Sequence, residues 1–347
     1  MSQSTKDGTT GGGWRRAVLK RLIGYPLVFA MAIGLLWIVS IRMPGQSHQG
    51  PVPTPDAAEQ ATVERVRAHV ETLAVTIGPR SFLQPAAVTA ASDYIAREWS
   101  AMGLSVTRRP YRAGGRAWDH LEVTIGPRTP GRGLLVVGAH YDGIADTPGA
   151  DDNASGVAVL LEASRLLVAS PPASAVRLVA FANEEPPWFW SDSMGSVAWL
   201  REARQRGDTI AAMLSIECVG YFTDTPGSQR YPPILGWFYP DVGNFLAVVG
   251  NVGSRALVHR VIADLRQHTP LPTAGAAAPS QLPGVGWSDH WAFWQEDVPA
   301  VMLTDAAPFR NPYYHQSGDV PAMLDFPRMA RVAHGVARVT RTLARDP

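Results

Sequence analysis

The chain has 347 residues, of which 46% are hydrophobic and 18% are charged, enough for one large domain or two ordinary domains with a sizeable core. Its formal net charge is +1, and outside the N-terminus no basic run is longer than a few residues, which argues against a nucleic-acid-binding protein. The single cysteine, Cys218, excludes an intrachain disulfide and lies in an apolar run, where we expect a small buried side chain.

The N-terminal part of the chain has the pattern of a membrane anchor. An uncharged apolar run from Leu22 to Ile41 matches the ~20 residues that a helix needs to cross a bilayer core. Arg15, Arg16, Lys20 and Arg21 precede it, and the positive-inside rule keeps this flank in the cytoplasm. A cleaved signal peptide is the alternative, but the run is long and no small-x-small cleavage site follows it.

This interpretation divides the chain into four parts. Residues 1–21 form a cytoplasmic tail, and residues 22–41 form a single-pass transmembrane anchor. Residues 42–56 contain four prolines and are predicted to form an extended linker. Residues 57–347 form the folded domain, which the predicted orientation places in the periplasm or the extracellular space.

Hydrophobic periodicity predicts the first elements of this domain. Residues 57–75 and 88–102 have the apolar spacing of amphipathic helices. Residues 121–125 alternate as a strand does, whereas residues 134–137 form a continuous apolar run, typical of a strand covered on both faces. Helical spacing returns at residues 154–168.

The start of that last helix has residues suited to a tight junction. Asn153 and Ser155 are candidate caps. Gly156 has no Cβ, so the first helical turn can approach another backbone closely. For the rest of the chain we predict strands at residues 176–182 and 213–216, further strands or a strand and a helix at 236–251 and 298–303, a loop rich in Gly, Ala and Pro at 274–283, and a last helix at 329–343.

Three predicted strands end in side chains that can bind metals. The carboxyl ends of parallel strands open onto one crevice, which is where α/β proteins bind their ligands. We therefore expect a single rim at which several carboxylates and an imidazole meet. The residues concerned are His140 and Asp142 after the first strand, Glu184 and Glu185 after the second, and Glu217 after the third.

These residues, with two from later loops, supply what a two-metal site requires. Zinc takes His nitrogen and carboxylate oxygen, and two ions ~3.5–4 Å apart need a carboxylate that bridges them. We predict two Zn²⁺ ions per chain: His140 and Glu217 can serve one ion, Glu185 and His315 can serve the other, and Asp152 can bridge them.

Two carboxylates remain beside the predicted ligands. Asp142, two residues beyond His140, is placed to accept the second N–H of that imidazole and to fix its tautomer. Glu184 lies next to a ligand without being one, which is the position that a general base needs.

Six motifs occur in the order found in one enzyme family. They are HYDG, ADDNASGVA, FANEEPP, IECVGY, SDHWAFW and NPYYHQSGD. In these the chain resembles the zinc-dependent exopeptidase family of the aminopeptidase S and aminopeptidase Y type, over roughly residues 60–340. The resemblance implies a single three-layer α/β/α domain around a mostly parallel mixed sheet.

The resemblance also implies roles for particular residues. It assigns the same five ligands, with Asp152 bridging and Glu184 as the catalytic base. It adds Tyr314, directly before the last His, as the tyrosine that steadies the oxyanion. Glu217 departs from the pattern, because many members have Asp there. Family order favours His315 over its rival His290 as a ligand, and the register with the following Asn favours Asp152 over Asp151.

The function that follows is a membrane-anchored two-zinc aminopeptidase acting on peptides. A glutaminyl cyclase-like acyl transferase is an alternative, disfavoured because such relatives use one zinc and lack the DNASG form. A non-catalytic ectodomain of the same fold is another, but such proteins usually lose ligands. Aromatic residues are predicted to line an apolar side-chain pocket or to belong to the core: Trp188, Phe189 and Trp190 on one side, and Trp287, Trp291, Phe293 and Trp294 on the other.

Overall fold

The computed structural model describes residue 18, residues 20–233 and residues 235–345. The chain separates into two units, with the boundary between Arg42 and Met43. In the N-terminal unit, helix α1 (Tyr25–Leu36) is flanked by π-helical turns, which makes one continuous helix from Lys20 to Ile41. It is long and apolar enough to cross a membrane, and a signal sequence would meet the same criteria.

The second unit is built on one sheet of eight strands in the order β1-β2-β4-β3-β5-β8-β6-β7. The pairs β3–β4, β3–β5, β5–β8 and β6–β7 are parallel, while β1–β2, β2–β4 and β6–β8 are antiparallel. The strands are β1 (Thr107–Ala113), β2 (Arg116–Ile125), β3 (Leu134–His140), β4 (Val176–Phe181), β5 (Ile210–Glu217), β6 (Leu246–Asn251), β7 (Thr273–Ala278) and β8 (Ala300–Thr304).

Helices cover both faces of this sheet. Successive strand residues point to opposite faces, so Val136 and Val137 of β3 belong to two different hydrophobic clusters. The larger cluster packs α2 (Ala57–Glu71), α3 (Pro85–Ala101), α4 (Gly156–Ala169), α6 (Arg255–His268) and α9 (Phe326–Arg345). The smaller cluster contains α5 (Gly195–Gln205) and α7 (His290–Trp294), and a short helix α8 (Ala307–Arg310) follows β8. The prediction of a single α/β domain around a mixed, mostly parallel sheet is confirmed.

One predicted loop is a strand. Residues 274–283 were expected to form a loop, but β7 (Thr273–Ala278) pairs residue for residue with β6. Its sequence, TAGAAA, has almost no residues that favour strands, and small side chains are what this place accepts. A Cβ on Gly275 would lie 2.9 Å from side-chain atoms of both Ile262 and Met43. Tertiary packing therefore outweighs local propensity at this edge of the sheet.

Residues 42–56, the predicted linker, contain neither helix nor strand, and the first of them lie along the domain. Arg266 donates from Nη1 to the carbonyl oxygens of Pro44 (2.9 Å) and Gly45 (3.0 Å). The backbone N–H of Thr273, at the start of β7, donates to Ser47 Oγ at 2.8 Å. Because edge strands carry unpaired backbone groups, this contact gives β7 a partner for one of them.

The junction between β5 and α4 is as tight as the sequence predicts. Asn153 Oδ1 accepts the N–H groups of Gly156 (3.0 Å) and Cys218 (3.1 Å), and its Nδ2 donates to Ile216 O at 2.9 Å. A Cβ on Gly156 would lie only 2.6 Å from Ile216 O. The start of α4 is therefore bonded directly to the end of β5.

Gly156→Ala should destabilise the protein by about 3 kcal/mol, because neither the Ile216 carbonyl nor the capping Asn153 can move away without breaking hydrogen bonds. Gly253→Ala is the matched control, since its nearest contact would be an ordinary 3.5 Å. Urea denaturation of both variants measures the difference. Equal midpoints for the two variants would show that the junction is looser than described.

Candidate metal centre

Sheet topology brings the predicted side chains to one edge. Strands β4, β3 and β5 are neighbours and run parallel, so their carboxyl ends lie side by side. His140 is the last residue of β3 and Glu217 is the last of β5. Glu184 and Glu185 follow β4 after a turn in which Asn183 has a φ of 57°, a conformation that Asn tolerates better than most residues.

Two clusters of possible metal ligands share one carboxylate. In the first, His140 Nε2 lies 3.1 Å from Glu217 Oε2 and 3.4 Å from Asp152 Oδ1. In the second, His315 Nε2 lies 3.0 Å from Asp152 Oδ2 and 3.6 Å from Glu185 Oε1. Asp152 therefore uses one oxygen in each cluster, which is the geometry of a bridging carboxylate.

The donor atoms in these clusters fit zinc. His140 Nε2, Asp152 Oδ1 and Glu185 Oε1 are buried and have no hydrogen-bond partner within the described chain. Buried polar atoms without partners are costly unless a ligand satisfies them. Each cluster offers one imidazole nitrogen and two carboxylate oxygens, and zinc prefers this mixture of nitrogen and oxygen in catalytic sites. The residues present can thus accommodate two ions.

Asp142 positions the pair of glutamates, a function that sequence reasoning missed. Its two carboxylate oxygens accept the backbone N–H groups of Glu184 (3.0 Å) and Glu185 (3.2 Å). His140 Nδ1 lies 3.5 Å from Asp142 Oδ1 but has no hydrogen-bond partner among the described residues, so the predicted hydrogen bond from this imidazole is not formed. Asp142 therefore lies beside the imidazole and fixes the loop that carries Glu184 and Glu185.

Asp319 has a similar function on the other side and was also missed. Its carboxylate accepts the N–H of Asp151 at 2.8 Å and that of Asp152 at 3.1 Å. Asp319 follows His315 in the NPYYHQSGD motif, so the loop that carries one imidazole also holds the backbone at Asp152. The acidic residue at the end of this motif could have indicated such a function. Its hydrogen-bond partners are backbone N–H groups, however, and a sequence pattern does not show these.

Electrostatics at this edge are dominated by buried carboxylates. Burial raises the pKa of Glu184 well above its usual range, and nearby Glu217 and Asp289 add to the increase. Burial by itself would lower the pKa of His140, but the adjacent carboxylates, with Glu217 first, raise it well above its usual value. Glu184 belongs to neither ligand cluster, as predicted for a base.

Tyr314 lies beside the second cluster. Its ring stacks on the His315 ring, with centroids 3.9 Å apart. Burial, followed by the charge of Asp152, raises the pKa of Tyr314 well above its usual value, so the phenol stays protonated at neutral pH. A neutral hydroxyl is a hydrogen-bond donor, and it is available next to the carboxylates that would hold metal.

Asp151 and His290, the alternatives to Asp152 and His315 as metal ligands, make other contacts. The Asp151 carboxylate accepts Gly220 N–H and Asn311 Nδ2–H, both at 2.9 Å. His290 Nε2 lies 2.8 Å from Val285 O, and its ring packs against the Trp294 ring at 4.6 Å. Neither residue belongs to a ligand cluster among the described residues.

The predicted aromatic walls are partly core. Phe293 and Trp294 are buried and belong to the smaller hydrophobic cluster, so they are not wall residues. Trp190 is 46% exposed and stacks on both Phe189 (5.1 Å) and Trp291 (6.0 Å). These three rings form an aromatic ladder that joins the loop after Glu185, which carries Phe189 and Trp190, to helix α7, which carries Trp291.

The fold and this carboxylate-rich edge fit a metal-dependent α/β peptidase domain, and sequence comparison identifies the family. The chain belongs to peptidase family M28, whose sequence profile matches residues 121–340. The predicted resemblance to zinc aminopeptidases is thereby confirmed.

Individual relatives agree with this assignment. The chain is 38% identical over 291 residues to the uncharacterized protein YfbL of Escherichia coli, covering 81% of this chain and 88% of YfbL. It is 28% identical over 219 residues to a probable leucine aminopeptidase of Arthroderma otae, covering 58% of this chain and 52% of that protein.

Solved structures show the same fold. The aminopeptidase LapA of Legionella pneumophila superposes with a TM-score of 0.64 at 18% identity, over 85% of this chain and 78% of LapA. The zinc aminopeptidase BSAP of Bacillus subtilis gives 0.64 at 14% identity, over 85% and 96% of the two chains. Tannerella forsythia glutaminyl cyclase gives 0.59 at 19% identity, over 83% and 99%.

The metal-free protein should lose stability as the pH rises from 6.5 to 8. Burial raises the pKa of Asp289 and of Asp319 to about 7, so these carboxyls bind protons more tightly in the folded state than in the unfolded state. Deprotonation then costs roughly 1 kcal/mol per carboxyl across this window. His120 and His290, with pKa values lowered to about 3 and about 4, act in the opposite direction but mainly below about pH 6.5.

Denaturant titrations of the chelator-treated protein at several pH values measure this trend. Zinc should reverse it, because deprotonated ligands bind the metal more tightly. A free energy of unfolding that rises with pH in the metal-free protein would contradict the expected burial of these carboxyls.

Proposed function

We propose that this protein is a membrane-anchored metallo-aminopeptidase with two zinc ions, which releases N-terminal residues from peptides outside the cytoplasm. One observation carries the proposal: Asp152 is shared by two clusters of His and carboxylate, and Glu184 lies beside them without belonging to either. A divided set of ligands with an unused carboxylate next to it is what hydrolysis at a two-metal site requires.

The five proposed ligands are His140, Asp152 and Glu217 for one ion, and Asp152, Glu185 and His315 for the other. When bound there, zinc supplies Lewis acidity towards the scissile carbonyl and the attacking water. Two findings support this assignment: the chain belongs to peptidase family M28, and its fold is similar to that of the zinc aminopeptidase BSAP.

Glu184 moves the proton in the proposed reaction. It accepts a proton from the attacking water and passes it to the leaving amine, and its carboxylate is available for this because it belongs to neither ligand cluster. Asp142 keeps the Glu184 backbone in place. Tyr314 donates a hydrogen bond to the carbonyl oxygen, on which negative charge develops.

Apolar N-terminal residues are the proposed preference. The aromatic ladder of Phe189, Trp190 and Trp291 supports it, because two of its rings lie on the loop that follows the two glutamates, the third packs against them from α7, and all three remain partly exposed. Pockets that select apolar side chains are typically lined by such rings.

Substitutions of the two adjacent glutamates should impair the enzyme in different ways, one through kcat and the other through metal affinity. Glu184→Gln keeps the shape of the side chain and all five proposed ligands, so kcat should fall by about 10²–10⁴ while metal content and KM change little. Glu185→Gln removes an anionic ligand, so the second ion should bind more weakly and excess zinc should restore part of the activity.

Elemental analysis and aminoacyl-anilide hydrolysis measure both effects, and each variant is the control for the other. Two ions per wild-type chain are expected. One ion per chain with cyclisation of N-terminal glutamine would favour the cyclase-like alternative. Full metal content and unchanged low rates in both variants would favour a non-catalytic ectodomain.

The proposed topology is tested with protease added to spheroplasts that express the full chain. The positive flank before the helix predicts that residues 57–347 face outwards and are digested without lysis. A cytoplasmic protein expressed in the same cells is the control. Protection of the domain until lysis would mean that the orientation is reversed.

A further inference from the structure

The β1–β2 hairpin extends past the end of the sheet at the metal-binding edge. The last pair that joins β2 to β4 is Leu121 with Ala180, and β4 ends one residue later at Phe181, so β2 residues before His120 continue beyond β4. At about 3.3 Å per residue, Arg116 lies roughly 13 Å past His120 along the strand. The hairpin therefore stands beside the loop that carries Glu184 and Glu185.

Hydrogen bonds hold the hairpin against that loop. Tyr111 Oη donates to Ala182 O at 3.2 Å and accepts from Asn183 Nδ2 at 2.8 Å. At the tip, Gly114 and Gly115 both have positive φ, as a tight two-residue turn requires. A Cβ on Gly114 would lie 2.7 Å from the Trp188 ring, so the turn and this tryptophan are in direct contact.

A cavity of about 250 Å³ lies between the hairpin and the loop. Its walls include Phe82, Leu83, Gly114, Pro187 and Trp188, and Phe82 meets Trp188 edge to face at 6.4 Å. At about 30 Å³ per water, the volume equals roughly eight waters and suits one large side chain. Leu83 is 58% exposed, so an apolar surface remains open to an incoming group.

Arg116 adds a positive charge to this cavity. Its side chain is exposed, donates only a long hydrogen bond to Phe82 O (3.3 Å), and forms no ion pair with a carboxylate of the described residues. Arg presents paired donors that match a carboxylate. The apolar walls and this unpaired guanidinium together suit a side chain followed by a free carboxylate.

The mechanism decides which part of a substrate reaches the cavity. Glu184 returns its proton to the leaving amine, so the leaving peptide lies on the side of Glu184. Trp188 N–H donates to Glu185 O at 3.0 Å, which places the cavity wall one turn beyond the two glutamates. The pocket proposed for the N-terminal side chain is separate from this cavity, because Trp190 packs against Trp291 and bonds to Gly286 O, whereas Trp188 packs against the hairpin.

We propose that this cavity binds the leaving part of short peptides, with an apolar side chain between Trp188 and Leu83 and the C-terminal carboxylate on Arg116. The inference rests on the proposed aminopeptidase activity and narrows its substrates to dipeptides and similar short peptides that end in an apolar residue.

The test compares kcat/KM for Leu-Phe, Leu-Phe-amide, Leu-Gly and leucine p-nitroanilide, using the full-length zinc-loaded enzyme. The wild type should prefer Leu-Phe to Leu-Phe-amide and to Leu-Gly. In Arg116→Gln, the ratio between Leu-Phe and its amide should fall about fivefold, mainly through KM, as expected for one partly exposed ion pair. Arg112→Gln is the matched control, because Arg112 is exposed on the same hairpin and does not line the cavity.

The outcomes separate the two proposals. Hydrolysis of the anilide with equal rates on Leu-Phe and its amide, in wild type and in Arg116→Gln, would overturn the inference and leave the aminopeptidase proposal standing. An equal fall in the ratio in Arg112→Gln would also overturn it, since general loss of positive charge would explain the effect. Failure of the zinc-loaded wild type on all four substrates would overturn both.

Discussion

Mutual repulsion among buried carboxylates is the constraint on which the rest of this structure depends. Asp142, Asp152, Glu184, Glu185 and Glu217 all end at one edge of the sheet, and each is at least nine-tenths buried. Burying several like charges is costly unless cations or hydrogen bonds compensate. The folded chain therefore carries an unfavourable electrostatic free energy here, which metal binding would relieve, and the rest of the domain has to hold the site together without it.

Hydrogen bonds between side chains and backbone groups largely hold the site together. The Arg80 guanidinium is fully buried and donates to five carbonyl oxygens, among them Tyr141 O (3.1 Å) and Gly149 O (2.8 Å), at the two ends of the loop between His140 and Asp152. Burial lowers the pKa of Arg80 to about 10, while Asp319, Asp142 and Asp152 raise it. Arg80 thus places a positive charge behind the acidic edge and fixes the loop, which a lysine with three donors could not do as fully.

Much of the site could be predicted from the sequence, but few of the hydrogen bonds and packing contacts that hold it in place could be. The strand ends at His140 and Glu217 were predictable, because buried parallel strands read as continuous apolar runs and their polar successors stand out. The hydrogen bonds of Asp142 and Asp319 to backbone amides were not, since any residue can provide an N–H. Strand β7 was missed for a related reason: its small residues are selected by α6 and Met43 packing against Gly275, a contact that no local pattern contains.

Glu217 shows how one departure from the family pattern is accommodated. A Glu has one more torsion than the Asp found in many members, so its carboxylate needs additional fixing. Ser288 Oγ donates to Glu217 Oε2 at 2.7 Å and lies 3.0 Å from Ser215 Oγ, while Cys218 Sγ donates to Oε1 at 3.1 Å. The SDH motif, which supplies no ligand from His290, therefore acts on the proposed metal site through its serine. Because the oxygen that Ser288 fixes is also the one nearest His140 Nε2, the position of the longer side chain is set by the same atoms that would complete the first metal cluster.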